Sequence, residues 1–194
     1  MALLPAEEEV ETVMSTDRQA LARRLRRAAY LTGRFTLRSG ATSDVYWDKY
    51  RFEAEPALLA AVARGLADLL PPAYDRLAGL ELGGVPLATA LALHTGRPAL
   101  FVRKAAKPYG TANLAEGGFA PGETAVIVED VVTSAGQILA SLADLRALGL
   151  VVRHAVCVID REEGGAARLA AAGCALASLF TMAELDRLAP PAEV

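Results

Sequence analysis

Ala125-Val126-Ile127-Val128-Glu129-Asp130-Val131-Val132-Thr133-Ser134-Ala135-Gly136-Gln137 changes character twice within one short stretch. The first four residues are apolar and β-prone, which predicts a buried strand over Thr124 to Val128. Two carboxylates follow, then a small, hydroxyl-rich loop. A helix is expected from Gln137 to Leu148, closed by Gly149. A helix start offers unpaired N–H groups and a positive dipole end, which suit a phosphate. Thr133, Ser134 and Gly136 let the backbone approach such a group closely and can add donors. Glu129 and Asp130 are acceptors, which match sugar hydroxyls or a hydrated cation rather than phosphate. A ligand with a phosphate beside a ribose diol satisfies both halves. An ordinary strand-to-helix turn with a Thr or Ser cap is the competing reading. It accounts for the hydroxyls well and for the adjacent acids poorly. The Gly-Lys-Ser/Thr end of a nucleotide-binding P-loop is absent, and so is GxGxxG.

Outward from this segment, strands and helices alternate. Strands are expected over Leu77 to Leu82, Ala99 to Val102, Val151 to Ile159 and Ala175 to Leu179. Helices are expected over Pro56 to Leu70, Pro86 to His94 and Glu162 to Ala172, the first stopped by Pro71-Pro72. That alternation implies an α/β fold, a mostly parallel sheet flanked by helices. Ligands of such folds bind beyond the carboxyl ends of the strands, here after Leu82, Val102 and Val128. Ahead of this core, Glu7 to Tyr30 reads as a helix with Leu21, Leu25 and Ala28 on one face. Its run Arg23, Arg24, Arg26 and Arg27 is expected as a solvated face or a contact with a partner subunit. Phe35 to Arg38 and Val45 to Asp48 read as a hairpin around Ser39-Gly40.

The bulk numbers narrow the function class. The 194 residues suit one domain, with residues 1–50 contributing the helix and hairpin, and a mean hydropathy of +0.29 supports a sizeable core. A net charge of -3 disfavours a nucleic-acid coat. Cys157 and Cys174 lack metal or redox spacing and are expected as small buried hydrophobes. His94 and His154 sit in apolar elements and are expected to be structural. The acidic start, with Glu7, Glu8 and Glu9, and the shortness of the apolar runs point to a cytoplasmic protein without a membrane anchor.

Further motifs extend the pattern. Arg103-Lys104-Ala105-Ala106-Lys107-Pro108-Tyr109-Gly110 places three cations in a Gly-ended connection, suited to cover an anion or simply solvated. Phe35-Thr36-Leu37-Arg38-Ser39-Gly40-Ala41-Thr42-Ser43 precedes two aromatics, Tyr46 and Trp47, which can stack a flat ring or fill a core. Asp160-Arg161-Glu162-Glu163-Gly164-Gly165 puts a guanidinium just past a strand, free to grip a carboxylate or to lie on the surface. Glu81-Leu82-Gly83-Gly84-Val85-Pro86-Leu87-Ala88 is a second glycine turn at a strand end.

Taken in order over roughly residues 33 to 165, these elements resemble the orotate phosphoribosyltransferases of the type I phosphoribosyltransferase family. The resemblance implies the type I fold with a small N-terminal hood. It implies transfer of a phosphoribosyl group from phosphoribosyl pyrophosphate (PRPP) to orotate, giving orotidine 5′-phosphate and pyrophosphate in pyrimidine biosynthesis. Carried onto this sequence, PRPP is held by Arg103, Lys104, Lys107, Tyr109, Glu129, Asp130, Thr133, Ser134, Ala135, Gly136 and Gln137. Orotate is held by Arg38, Tyr46, Trp47, Thr133 and Arg161. Lys104, Lys107 and Asp130 carry the catalytic roles. Tyr109 stands where the family usually has His, Ala135 where Gly is common, Gln137 where a small hydroxyl residue is common, and no Lys lies near Gly83. Mg²⁺ is implied as an ion that enters with PRPP, without a dedicated protein metal site. A homodimer is implied, with the basic loop acting in the neighbouring site, and no nucleic-acid or membrane partner. Two other readings stay open from the residues: a transferase for another nucleobase, and a PRPP-sensing regulator without catalysis.

Overall fold

The structure, a computed structural model, describes residues 7–36, 40–105 and 113–190, with side chains from residue 17 onward. A six-stranded sheet forms its centre. In chain order its strands are β3 (Arg76–Leu80), β4 (Ala99–Val102), β5 (Ala115–Glu116), β6 (Thr124–Val132), β7 (Val151–Asp160) and β8 (Ala175–Thr181). Their spatial order is β5-β4-β3-β6-β7-β8, all parallel except β5, which runs antiparallel to β4. The mostly parallel sheet expected from the alternation is therefore present.

Helices α3 (Pro56–Ala67), α4 (Gly84–Thr95), α5 (Gly136–Ala147) and α6 (Gly165–Ala171) connect or cover the strands. The apolar side chains form two clusters. Val126, Val128, Val156 and Val158 pack with Leu58, Leu66, Leu87 and Leu91, whereas Ala125, Ile127, Ala155 and Cys157 pack with Ile138, Leu142 and Leu169. The alternate membership of consecutive strand residues is the two-residue period of a sheet buried on both faces. Both cysteines are buried as small apolar groups, as expected.

Before the sheet, α1 (Glu7–Ala29) leads into the antiparallel hairpin of β1 (Tyr30–Thr36) and β2 (Thr42–Trp47). The hairpin is longer than the sequence suggests, because pairing starts at Tyr30 opposite Trp47. A short helix α2 (Tyr50–Glu53) follows. The arginine run of α1 is not a uniformly solvated face. Arg23, Arg24 and Arg27 are exposed, but Arg26 is buried. Its guanidinium lies over the rings of Tyr30 and Trp47 and pairs with Asp186. Asp186 belongs to α7 (Met182–Leu188), which also holds Arg18 through Glu184 at 3.1 Å. Helix α7 was not expected from sequence, although Thr181 and Glu184 form the reciprocal cap that such spacing allows. Helix α6 starts later than expected because Glu162 and Gly164 both take positive φ. Among the described residues, no helix is long and apolar enough to cross a membrane.

Candidate functional site

The chain moves from β3 outward to β4, then returns so that β6 pairs with the other side of β3. This is the switch point at which an open parallel sheet forms a crevice. The ends of β3 and β6, and of β7 beside them, define the candidate site.

Strand β6 does not stop before the acid pair. Glu129 pairs in register with Cys157, Val131 with Ile159 and Val132 with Asp160, so the acids are the last part of a strand rather than the start of a loop. Strand β7 is long enough to keep them paired. Alternation sends Asp130 toward the face of Val126 and Val128, where α4 packs, and Glu129 starts from the opposite face. Asp130 is 0% exposed and Glu129 9%. Glu129 Oε1 accepts from the Asp130 N–H at 3.1 Å, and Asp130 Oδ1 from the Val131 N–H at 2.5 Å. Burial first, and the neighbouring Asp130 second, push the Glu129 carboxyl well above the usual carboxylate range.

Past Val132 the loop turns into α5 through Ala135, whose φ of 57° is left-handed. That conformation costs an alanine about 1 kcal/mol and explains why glycine is the usual choice at such a turn. No side chain caps α5. The competing reading of Thr133 and Ser134 as ordinary capping residues is therefore not realised. The first N–H groups of α5 lack a side-chain partner, and Ser134, Gly136 and Gln137 are exposed around them. The loop is braced from α6. Arg168 Nη1 donates to the Ser134 carbonyl at 2.6 Å, and a Cβ on Gly165 would lie 2.4 Å from the Thr133 carbonyl oxygen. Sequence reading missed both residues, since contact between α6 and this loop depends on the sheet being assembled.

The second glycine turn faces the acids. A Cβ on Gly83 would lie 1.6 Å from Asp130 Oδ2, so only glycine fits there without displacement. Glu81 ties this turn to the basic connection: its Oε2 accepts from the Lys104 N–H at 3.0 Å. Arg103 and Lys104 are exposed at the end of β4, next to the end of β3. Arg161 is exposed at the end of β7. Its N–H donates to the Val132 carbonyl at 2.9 Å, and its Nε lies 3.2 Å from Glu163 Oε1. Thus Glu129, Asp130, Thr133 to Gln137, Arg103, Lys104 and Arg161 gather at one end of the sheet. Arg38, Lys107 and Tyr109 lie outside the described residues.

Tyr46 and Trp47 do not share one stacking surface. Tyr46 is 42% exposed and packs on Phe35 at 5.4 Å between centroids, whereas Trp47 meets Tyr30, Arg26 and the core. Consecutive strand residues point to opposite faces, which separates them. Two further residues reach Asp130. Lys49, just past β2, places Nζ 2.6 Å from Asp130 Oδ2, and buried Glu53 of α2 adjoins the same carboxylate. Nothing in the sequence singles them out, since Lys49 follows a hairpin and Glu53 ends a four-residue helix. With an ammonium on Asp130, these residues do not fit a protein-held divalent ion, and among the described residues no cluster of His, Cys, Asp or Glu is arranged to hold one.

No protein-family profile matches the chain. The orotate phosphoribosyltransferase of a Nocardioides species is 51% identical over 156 residues, covering 80% of this chain and 87% of that protein. The solved Mycobacterium tuberculosis orotate phosphoribosyltransferase in complex with PRPP superposes with a TM-score of 0.75 at 31% identity, covering 87% of this chain and 98% of the other. Leishmania donovani UMP synthase superposes with a TM-score of 0.77 at 29% identity, and there the match takes in 93% of this chain but 40% of the longer one. Half of the aligned residues are shared with the Nocardioides protein across most of both chains, on a fold whose crevice carries the acid pair, and the chain belongs to the orotate phosphoribosyltransferase family.

Proposed function

We propose that the crevice transfers the 5-phosphoribosyl group of PRPP to orotate, releasing pyrophosphate and forming orotidine 5′-phosphate, a step of pyrimidine biosynthesis. The observation that carries this reading is the uncapped start of α5 directly beyond a buried acid pair. The 5′-phosphate sits on the N–H groups of Thr133 to Gln137, and Glu129 and Asp130 take the ribose hydroxyls. Pyrophosphate lies toward the Gly83 turn, met by Arg103, Lys104, Lys107 and Tyr109. Mg²⁺ comes as part of the substrate, coordinated by its phosphates and hydroxyls.

Catalysis here is positioning and charge stabilisation. The bond from C1′ to the pyrophosphate oxygen breaks while a ring nitrogen of orotate bonds to C1′, and the proton of that nitrogen passes to solvent or to the released pyrophosphate. Lys104 and Lys107 offset the charge that grows on the leaving group, and Asp130 holds the sugar against the positive charge at C1′. Arg161 grips the orotate carboxylate, supported by Arg38, Thr133, and Tyr46 and Trp47 of the hairpin. Residues 1–50 act as a hood on a single catalytic domain. Two copies form the working unit in the cytoplasm, the basic connection of one serving the other.

Loss of orotate absorbance in the presence of PRPP and Mg²⁺ is the direct assay, with hypoxanthine and uracil run separately. Turnover of orotate alone is expected. Arg161→Ala should lower kcat/KM for orotate by about 10- to 100-fold, the worth of a hydrogen-bonded charge pair. Equal turnover of uracil, or an unaffected Arg161→Ala variant, would refute the assignment of the base.

A further inference from the structure

The acid pair is joined, on the side of the hairpin, by charged residues to which the reaction above gives no role. The segment leaving β2 carries Asp48 and Lys49, and α2 then brings Glu53 under the same carboxylate. The Lys49 side chain is 33% exposed, so its ammonium comes from the solvent edge to a partner that is 1% exposed. A Cβ on Gly83 would meet Asp130 Oδ2 at 1.6 Å and Glu53 Oε1 at 3.0 Å, so both carboxyl groups crowd one point of the turn. Three carboxyl groups, Glu53, Glu129 and Asp130, therefore share one ammonium in a nearly closed space. They cannot all ionise without large cost.

We infer that Lys49 and Glu53 are positioning residues for the sugar-transfer step, fixing the orientation of the Asp130 carboxylate and linking it to the hairpin that receives the base. The inference rests on the reading of Glu129 and Asp130 as the ribose-binding pair. Lys49 stands two residues beyond Trp47, which is locked opposite Tyr30 in the hairpin register. A shift of the hairpin must therefore move the ammonium relative to Asp130. Glu53 is in the protonated state that this arrangement needs near neutral pH. Burial first, and Asp130 second, raise its carboxyl to about 8, while Lys49 pulls the other way. Burial is the largest single effect on Lys49 and opposes its charge, but the hydrogen bond to Asp130 and the charges of Asp130, Glu129 and Tyr50 together outweigh it and hold the ammonium above its usual value. The groups facing Glu53 are Asp48 and Lys49 from the segment after β2, and Asp130 from β6, with Glu129 next to Asp130. Cys157 and Asp160 of β7 lie beyond those acids.

The test uses the full chain, with steady-state kinetics over a pH range and calorimetric titration of Mg²⁺-PRPP. Lys49→Met should raise KM for PRPP by about 10- to 100-fold, as expected for loss of a charged hydrogen bond, with a much smaller change in KM for orotate. Lys49→Arg should recover most of that loss. Wild type should lose kcat/KM above about pH 8 as Glu53 ionises beside Asp130, and Glu53→Gln should flatten that limb. A lower melting temperature for Lys49→Met with unchanged PRPP affinity would reduce the pair to a structural one and overturn the inference. So would an alkaline limb that persists unaltered in Glu53→Gln. If wild type binds PRPP but turns over no base, the proposed reaction fails by itself, and the effect of Lys49→Met on PRPP titration still decides this point.

Discussion

A methyl group on Gly83 would stand 1.6 Å from Oδ2 of Asp130, a residue that is fully buried. Gly83→Ala should therefore displace either the turn or the carboxylate. A loss of about 1–3 kcal/mol in stability is expected, the usual cost of overpacking a filled interior. Chemical denaturation measures it, and calorimetric titration should show weaker PRPP binding in the same variant. A variant as stable and as tight as wild type would mean that the turn is more pliant than its packing indicates. At this scale the sequence shows chemistry better than contact. Glu129, Asp130 and the hydroxyl loop stand out because their residue types conflict with an ordinary buried strand end. Lys49 and Glu53 do not stand out. Their partner lies far along the chain, and a lysine after a hairpin looks like any solvated charge. Tyr46 and Trp47 look alike in the sequence, since aromatic character is the same for a stacking ring and a core ring, and only the face each occupies separates them.

Between elements, the loop of residues 133–137 depends on α6. Gly165 lies where a Cβ would meet the Thr133 carbonyl oxygen at 2.4 Å and the Val132 side chain at 2.7 Å. Gly165→Ala should push the loop off α6 and break the Arg168 bond to Ser134. A stability loss of about 1–3 kcal/mol and a raised KM for PRPP are expected, with KM for orotate less affected. Steady-state kinetics with each substrate varied in turn distinguishes this from general damage, which would change both. Strands β4 and β6 were legible as short apolar runs, and helices α3 and α5 through the breakers Pro71-Pro72 and Gly149 that follow them. The ends of β6 and β7 were not, because pairing between them carries polar residues that no strand propensity would include. Helix α2 is too short for a periodic signal, and β5 exists only through its pairing with β4.

For the whole molecule, buried acids make stability fall toward alkaline pH. The folded state holds the Glu53 proton up to about pH 8, against an ordinary value of 4.5, and Glu129 shifts in the same direction. The Glu53 contribution is fully present below pH 4.5 and is lost as pH rises through about 8, since the unfolded chain then binds fewer protons than the folded one, and Glu129 adds a loss of the same sign. The melting temperature should decline over that window, and Glu53→Gln should reduce the slope; scanning calorimetry at several pH values checks both. A flat profile would mean that these carboxyls ionise freely in the fold. The fold class was readable from alternation alone, whereas the strand order was not, because which side of β3 receives β6 is a matter of packing rather than pattern. That order has a consequence for biosynthesis on the ribosome. Arg76 is aligned with Ala125, and all of β4 and β5 is made between them. While the chain emerges, Lys49 and the Gly83 turn wait for a strand that has not yet been synthesised. Half-made chains therefore present no substrate pocket, and competence to hold PRPP arrives late, when the returning strand slots into the middle of the sheet.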